Sequence, residues 1–299
     1  MFIATHRTVF FWITGLIMAA AIGAIVVFGL PLGIDFSGGS LLQVSYPEGR
    51  PALADIQKRI ATIPLGAVSV REGGTNAVSI RTRTMTPAEH DAILAALSQD
   101  ASTSELAFTS IGPSLGAQFT NKALWAILAV AFAIAGFIAF AFRKVSRPVP
   151  SFMYGLAVIV ILAHDIIIPS GFFAIFAHFT GAEVDALFVT ALLALLGYSV
   201  NDTIVILDRV REHLSNNEKT GTKEPFETTV GKSISETLTR SINTSLTVVL
   251  ALVVLALLGA AATRTFALVM LVGVIAGTYS SILLAAPLLI PLSRRFMRR

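Results

Sequence analysis

Six long apolar stretches constrain the fold of this chain more than any other feature of its sequence. A helix needs about 20 apolar residues to cross a hydrocarbon core of about 30 Å. Six stretches approach or exceed this length, at residues 9–30, 123–142, 152–176, 186–207, 242–258 and 266–289. Only 13% of the residues are charged, which is far below the share in a soluble domain. The sequence therefore predicts an α-helical integral membrane protein with six transmembrane helices.

The positions of Lys and Arg predict which ends of the spans face the cytoplasm, because short cytoplasmic loops are rich in these residues. With six spans, both termini lie on one side of the membrane. The basic residues on that side are Arg7, Arg143, Lys144, Arg147, Arg209, Arg211, Lys219, Lys223, Lys232, Arg240, Arg294, Arg295, Arg298 and Arg299. The two short loops opposite contain only Arg264. Both termini are therefore expected in the cytoplasm.

This orientation divides the chain into regions. Residues 1–32 hold a cytoplasmic N-terminus and the first helix, and residues 33–121 form an extracytoplasmic domain. Residues 122–293 hold the other five helices, with a cytoplasmic loop at 208–240, and residues 294–299 are a basic cytoplasmic tail. A cleaved signal has an apolar core of only about 7–15 residues. The first stretch is longer, so we expect it to remain as an anchor.

The polar stretch 33–121 reads as a small α+β domain. Its predicted strands and helices alternate as βαββαβ, with strands at 40–46, 67–72, 77–82 and 105–110 and helices at 51–63 and 87–99. The second helix has a capping box, with Thr86 before it and Glu89 at its third position. A glycine pair at 73–74 predicts a turn between the middle strands. This order predicts a ferredoxin-like sandwich.

Several chemistries find no support in the sequence. The chain has no cysteine, which excludes disulfides, thiolate metal sites and a cysteine nucleophile. The run 231–233 resembles the end of a phosphate-binding loop but lacks the glycine that must precede it. The histidines show no metal-site spacing, and they are His6, His90, His164, His178 and His213. We therefore predict no metal, no cofactor, no nucleic-acid binding and no covalent catalysis.

Polar and charged groups inside the predicted spans are the strongest indication of function. A charge at mid-membrane costs at least about 2.5–3.5 kcal/mol, so such groups usually have a role. Asp202 follows Asn201 in the fourth span, and Arg240 opens the fifth. Spacings of three and four are expected to place Arg240, Ser241, Thr244 and Ser245 on one broad face, which could meet the polar face of the fourth span. Burial disfavours the charged form of a carboxylate, whereas a facing guanidinium favours it. Asp202 and Arg240 are therefore predicted to form a proton path, with Asn201 and Thr244 as further candidate members, or alternatively a static pair that fixes helix packing.

Two further patterns lie in the spans. His164 and Asp165 sit near the middle of the third span, either as members of the same proton path or as packing partners of polar residues nearby. In the sixth span, Gly273 and Gly277 form a small-xxx-small face, which is typical of close helix contact.

Several motifs resemble the SecD/SecF family of protein-export subunits. The run GIDFSGG at 33–39 is similar to the glycine motif shared by SecD and SecF proteins. The runs at 197–212 (GYSVNDTIVILDRVRE) and 241–247 (SINTSLT) resemble SecF signatures, as do 163–166 and 183–185. The likeness covers nearly the whole chain. It implies half of an RND-type transporter, with Asp202 and Arg240 as proton-path residues.

The resemblance also implies partners and a place in the cell. It implies a heterodimer with a SecD-like subunit, association with the SecYEG channel and contact with translocating preproteins and membrane lipids. The expected location is the bacterial inner membrane. The implied function is proton-motive-force-driven export of preproteins. Two alternatives remain, a non-energetic scaffold subunit and an RND-type exporter of small molecules or lipids.

The glycine motif is expected to form the junction between the first span and the domain that follows it. Glycines permit positive φ and close backbone approach, which Gly38 and Gly39 would use. Asp35 is expected to cap or pin this junction, and a hinge role is a hypothesis.

Overall fold

The computed structural model describes residues 2–73, 76–99, 102–143 and 149–297. The chain divides into two compact units. The first, here called the membrane unit, consists of Met1–Leu30, Trp125–Thr180 and Leu187–Arg299. The second, here called the sheet unit, consists of Pro31–Leu124 and Gly181–Ala186.

Long helices account for most of the described residues. The α-helices are α1 (Phe2–Thr5), α2 (Arg7–Phe28), α3 (Ile34–Ser37), α4 (Leu53–Ile60), α5 (Pro87–Leu97), α6 (Pro113–Ala141), α7 (Ser151–Thr180), α8 (Ala186–Thr220), α9 (Phe226–Leu258), α10 (Ala261–Ser280) and α11 (Ala286–Met297). A π-helical turn, Ser281–Ala285, joins α10 to α11. Among the residues that the structure describes, six spans are long and apolar enough to cross a membrane: α2, α6, α7, α8, α9 and the stretch Thr263–Ser293. The six predicted transmembrane helices are therefore confirmed.

The cytoplasmic loop predicted at 208–240 is mostly helical. Helix α8 continues to Thr220 and α9 begins at Phe226, so only a short turn separates them. An ion pair between Arg209 and Glu236 joins the two helices, and Leu214 packs against the apolar core of the membrane unit. These contacts stabilise the parts of α8 and α9 that lie outside the apolar stretches. Hydropathy alone does not predict those helical residues. Of the predicted basic residues, Lys144, Arg147, Arg298 and Arg299 lie outside the described residues.

The sheet unit confirms the βαββαβ order. Its strands are β1 (Gly39–Ser45), β2 (Ser69–Glu72), β3 (Ala77–Thr82) and β4 (Ser104–Ile111), arranged β2-β3-β1-β4 with antiparallel neighbours. The first helix is shorter than predicted and ends at Ile60. Pro64 follows closely, and a residue before proline disfavours helical backbone.

Alternation of apolar residues places one face of this sheet in a core. Successive strand residues point to opposite faces, and the inward residues of β1 and β3 are fully buried. The buried core comprises Leu42, Val44, Tyr46, Ile56, Ile60, Leu65, Val78, Ile80, Met85, Ile93 and Leu97. Residues of α4 and α5 supply the helical part of this core, so both helices pack on the sheet.

The capping box at the start of α5 is present as predicted. The backbone N–H of Glu89 donates to the hydroxyl of Thr86, and Glu89 accepts from the backbone N–H of Thr86 at 2.8 Å. The Arg83 guanidinium also binds this carboxylate. The hydrogen bonds from Arg83 and Thr86 lower the pKa of Glu89 to about 2. Gly74, from the predicted turn, lies outside the described residues.

A close approach of α2 and α7 holds the membrane unit together. Gly171 of α7 lies against the backbone of Ala21 in α2, and a Cβ added at Gly171 would lie 2.6 Å from the Cα of Ala21. Small residues allow such backbone contact between membrane helices. A side chain at this position must therefore push the two helices apart.

We expect Gly171→Leu to destabilise the membrane unit strongly. Overpacking costs about 1–3 kcal/mol when neighbours can shift, and the neighbour here is backbone. Thermal unfolding and size-exclusion chromatography of the full chain in detergent should show a lower Tm and loss of most of the monodisperse protein. Gly136→Leu is the matched control, since a Cβ there meets nothing within 4 Å. Equal stability of both variants would contradict this packing.

Candidate functional site

Asp202 lies buried in the membrane unit, on α8. Its carboxylate accepts a hydrogen bond from Ser245 of α9 at 3.2 Å, and Ser245 in turn is bound by the hydroxyl of Thr278 of α10 at 2.6 Å. Within the described part of the chain, Asp202 forms no ion pair. A buried carboxylate thus rests on a chain of two hydroxyls drawn from two neighbouring helices.

Arg240 lies near Asp202 but does not bind it in this arrangement. The guanidinium is close enough to act on Asp202 electrostatically, yet the side chain is exposed. Asn201 is also exposed, and Thr244 is half-buried. The face predicted for the fifth span is therefore split: its serines point inward, whereas Arg240 points outward.

Ser241 shows the same inward orientation as Ser245. Its hydroxyl is buried next to the Asp202 carboxylate, without a well-formed hydrogen bond to any residue that the structure describes. The hydroxyl of Tyr198, on α8, is likewise buried and lies near Ser245, again without a well-formed hydrogen bond in the described chain. Buried polar groups are normally paired with protein or with ordered water. The hydroxyls of Ser241 and Tyr198 are therefore two further buried polar groups in the neighbourhood of Asp202.

Asp165 is a second and more enclosed carboxylate, on α7. Its oxygens accept hydrogen bonds from Ser199 of α8 and from Ser280 of α10, the latter at 2.8 Å. His164 lies beside it, with Nδ1 2.8 Å from Oδ1 of Asp165. Both side chains of this His–Asp pair are almost completely buried. The structure thus joins the predicted residues His164 and Asp165 to hydroxyls of two further helices.

The imidazole of His164 binds Asp165 through only one of its two ring nitrogens. Its Nε2 atom is buried and has no hydrogen-bond partner in the described residues. The ring of Tyr279 packs edge-on against the imidazole at 5.3 Å between centroids, and the Tyr279 hydroxyl binds Thr14 of α2. An imidazole with a free nitrogen can accept or donate a proton.

Helix α10 supplies hydroxyls to both carboxylates, and sequence reasoning missed this. The run Thr278–Ser281 places Thr278 toward Asp202 and Ser280 toward Asp165, while Ser281 binds Thr203 of α8 at 2.8 Å. The π-helical turn begins at Ser281, and such turns are frequent at functional sites. Four consecutive hydroxyl-bearing residues in an apolar span are the signal that could have revealed this run.

The predicted small-residue face of the sixth span explains how α10 reaches α8. A Cβ added at Gly277 would lie 3.0 Å from the Cβ of Ser199, and one added at Gly273 would overlap Leu195. The absence of side chains at both positions allows the two helices to approach closely. That approach brings Ser280 and Ser199 to the same carboxylate.

The glycine motif has a definite conformation in the sheet unit. Gly38 and Gly39 have positive φ, at 73° and 122°, and a Cβ on Gly39 would lie 2.6 Å from the carbonyl oxygen of Thr82. Asp35 accepts a hydrogen bond from the backbone N–H of Ala186 at 2.8 Å. Ala186 is the first residue of α8, so Asp35 caps that helix.

The described residues contain no group of three or more His, Cys, Asp or Glu side chains that could hold a metal ion. The site therefore consists of two buried carboxylates, a histidine and a set of hydroxyls. These groups can hold and pass protons.

Comparison with known proteins agrees with the motifs. Residues 91–295 match the model of the "Protein export membrane protein SecD/SecF, C-terminal" family, and residues 23–46 match the "SecD/SecF GG Motif". The chain is 38% identical to the protein translocase subunit SecF of Thermobaculum terrenum over 96% of this chain and 92% of that protein. It is 33% identical to SecF of Helicobacter pylori over 91% of this chain and 81% of that protein.

Solved structures show the same architecture. The crystal structure of SecDF from Thermus thermophilus, a translocon-associated membrane protein, matches with a TM-score of 0.84 at 26% identity. The match covers 98% of this chain and 38% of the SecDF chain. A SecDF structure in the super-membrane-facing form matches with a TM-score of 0.65 at 27% identity, over 95% of this chain and 38% of that chain. This protein is therefore a multi-pass membrane protein that belongs to the SecF family of protein translocase subunits.

Proposed function

We propose that this chain couples proton movement through its spans to the export of preproteins, acting as half of a complex with a SecD-like subunit. The observation that carries the proposal is Asp202, a carboxylate buried in a membrane span and bound by a hydroxyl rather than a cation. The proposed partners are a SecD-like subunit, the SecYEG channel, the preprotein in transit and membrane lipids. No covalent catalysis is proposed.

The energetics favour a protonatable role for Asp202. A charged group at mid-membrane costs at least about 2.5–3.5 kcal/mol, and protonation removes the charge. Each proton that crosses the membrane releases about 2.3 kcal/mol per 100 mV of potential. Protonation of Asp202 would therefore lower the free-energy cost of holding it in the membrane, and the proton-motive force would supply energy for its movement.

Arg240 is proposed to control the charge of Asp202 by approaching and leaving it. In the arrangement described here the two are electrostatic neighbours without contact. A facing guanidinium stabilises a carboxylate, whereas its departure favours proton uptake. The buried hydroxyls of Ser241 and Tyr198 lie beside this carboxylate and are proposed to bind the water that carries the proton. Asn201 and Thr244 flank this path, and a second acidic group is expected from the SecD-like partner.

Asp165 and His164 are proposed as further members of the path. The pair is fully enclosed and shares helices α8 and α10 with Asp202. The free Nε2 atom of His164 gives the pair one more position for a proton. A proton held here would reach Asp202 by way of the hydroxyls and of water between them.

The orientation in the membrane is also part of the proposal. With both termini in the cytoplasm, the sheet unit lies on the opposite face of a bacterial inner membrane. The basic residues that flank the spans then meet the anionic cytoplasmic leaflet, which attracts Lys and Arg. Preproteins leave the channel on the side where the sheet unit lies.

A charge exchange between Asp202 and Arg240 separates proton coupling from a scaffold role. We expect Asp202→Arg with Arg240→Asp to abolish proton-motive-force-dependent export, because an arginine at position 202 cannot release its proton. The measurement is preprotein export in vesicles that contain the SecD-like partner, with membrane assembly of both subunits as the control. Restored export in the exchanged protein would mean a static pair and would support the scaffold.

A further inference from the structure

The loop between α7 and α8 is part of the sheet unit. Its residues Gly181–Ala186 belong to that unit together with Pro31–Leu124. The backbone N–H of Val184 donates to the carbonyl of Pro31 at 2.7 Å, and that of Gly33 donates to the carbonyl of Val184 at 2.8 Å. Residues Leu32 and Val184 thereby form a parallel bridge. The loop is thus paired with the beginning of the glycine motif.

Two arginines from neighbouring strands bind the same carboxylate in this loop. Glu183 lies 2.6 Å from Arg81 of β3 and 3.3 Å from Arg71 of β2, measured between side-chain N and O atoms. Arg71 also donates to the carbonyl of Gly181. Arg81 reaches the hydroxyl of Ser37 at 2.6 Å, inside the glycine motif. The Glu183 side chain is 21% exposed, so water screens this cluster only in part.

The backbone geometry at the contact requires glycine on one side. A Cβ added at Gly33 would lie 2.8 Å from the carbonyl oxygen of Val184, so a side chain there would break the pairing. Two residues later in the chain, the carboxylate of Asp35 accepts a hydrogen bond from the first residue of α8 and caps that helix. An acidic cap at a helix N-terminus also interacts favourably with the helix dipole.

We propose that these contacts form a clamp that fixes the start of α8 to the sheet unit, so that α8 transmits movement between Asp202 and that unit. The clamp comprises Asp35, Arg71, Arg81, Glu183 and the Gly33–Val184 backbone pair. Asp202 lies on the same helix, 16 residues beyond Ala186, which corresponds to about 24 Å at 1.5 Å per residue. The inference rests on the proposed function, since it concerns how proton exchange at Asp202 reaches the exported chain.

A single substitution can remove the negative charge of Glu183 without changing any other residue of the clamp. We expect Glu183→Gln to lower proton-motive-force-dependent export at least ten-fold, while proton flux through the complex with its SecD-like partner stays within two-fold of wild type. Glu72→Gln is the matched control, because Glu72 lies on the same strand as Arg71 but forms its ion pair with Arg50, at 2.5 Å, which is not part of the clamp. It should leave both readouts unchanged. Normal export with Glu183→Gln would overturn the clamp.

A reversible covalent link supplies the decisive comparison. The chain has no cysteine, so Leu32→Cys with Val184→Cys introduces a single cysteine pair at the parallel bridge that joins these two positions. In the Glu183→Gln background, oxidation should restore export and reduction should remove it again. Export that stays low although the disulfide forms would contradict the clamp.

Asp202→Asn, measured in parallel, reports on the proposed function separately: if it leaves proton flux unchanged, the proton path fails and not the clamp.

Discussion

Asp202→Asn will reduce proton-motive-force-dependent export to the level seen without a proton-motive force, at least a ten-fold loss. Asparagine fills the same volume and can still accept the hydrogen bond from Ser245, so the helices should assemble normally. It cannot bind or release a proton, and that is the property the proposal assigns to this position. The measurement is preprotein export in vesicles, with the amount of assembled complex determined in the same sample.

Two variants on the same helix make this result specific. Asp208→Asn is the matched control, since Asp208 lies six residues further along α8 and pairs with Arg211 at 2.5 Å as a partly exposed i,i+3 pair. Exposed pairs of this kind contribute little, about 0.2–1 kcal/mol, so export should persist. Asp202→Glu keeps the carboxylate and should retain part of the activity. Normal export with Asp202→Asn would exclude Asp202 as the coupling group.

Asp165→Asn will lower export strongly as well, at least ten-fold, without preventing assembly. The amide still offers an oxygen to the hydroxyls of Ser199 and Ser280, which can rotate to suit it. What it loses is the negative charge and the carboxylate oxygen beside His164. Export and proton flux should therefore fall together, and unchanged proton flux would exclude Asp165 from the path.

Asp165→Leu tests how much Asp165 contributes to packing and assembly of the protein. Leucine removes the acceptor for Ser199, Ser280 and His164 while all three remain buried. Each unsatisfied buried donor costs about 1–3 kcal/mol, so we expect loss of assembled protein in addition to loss of activity. The contrast between Asn and Leu separates proton handling from packing.

Local signals explain which parts of the fold could be predicted. The capping box at Thr86 and Glu89 uses residues three apart, so it is visible in the sequence and present in the structure. The six spans follow from apolar length, and the sheet order follows the βαββαβ pattern. The extension of α8 to Thr220 could not be predicted, because contacts across two helices stabilise it, such as the ion pair between Arg209 and Glu236.

In the membrane unit, the type of residue identified the candidate site, but the sequence did not predict which side chains contact each other. Asp202 and Asp165 stand out because a charge in an apolar span is costly. Helical spacing placed Arg240 and Ser245 on one broad face, but it does not fix the rotation of α9, and the structure turns Ser245 inward and leaves Arg240 exposed. The run of hydroxyl-bearing residues that contains Thr278 and Ser280 is visible in the sequence, but nothing local shows which carboxylate each residue reaches.

The contacts of the glycine motif at residues 33–39 could likewise be predicted only in part. Its glycines could be predicted to adopt positive φ, which Gly38 and Gly39 do. The partner of Asp35, however, lies 151 positions away at the start of α8, and no local pattern links the two. Glu183 likewise meets Arg71 and Arg81 only through the fold.

The most direct test of the account measures proton entry and export in the same vesicles, with the chain, its SecD-like partner and a preprotein in transit. An imposed proton gradient should drive both processes in the wild type, and Asp202→Asn should abolish both. Asp208→Asn should preserve both. Export that still follows the proton gradient in the Asp202→Asn protein would contradict the central claim that this carboxylate couples proton movement to protein translocation.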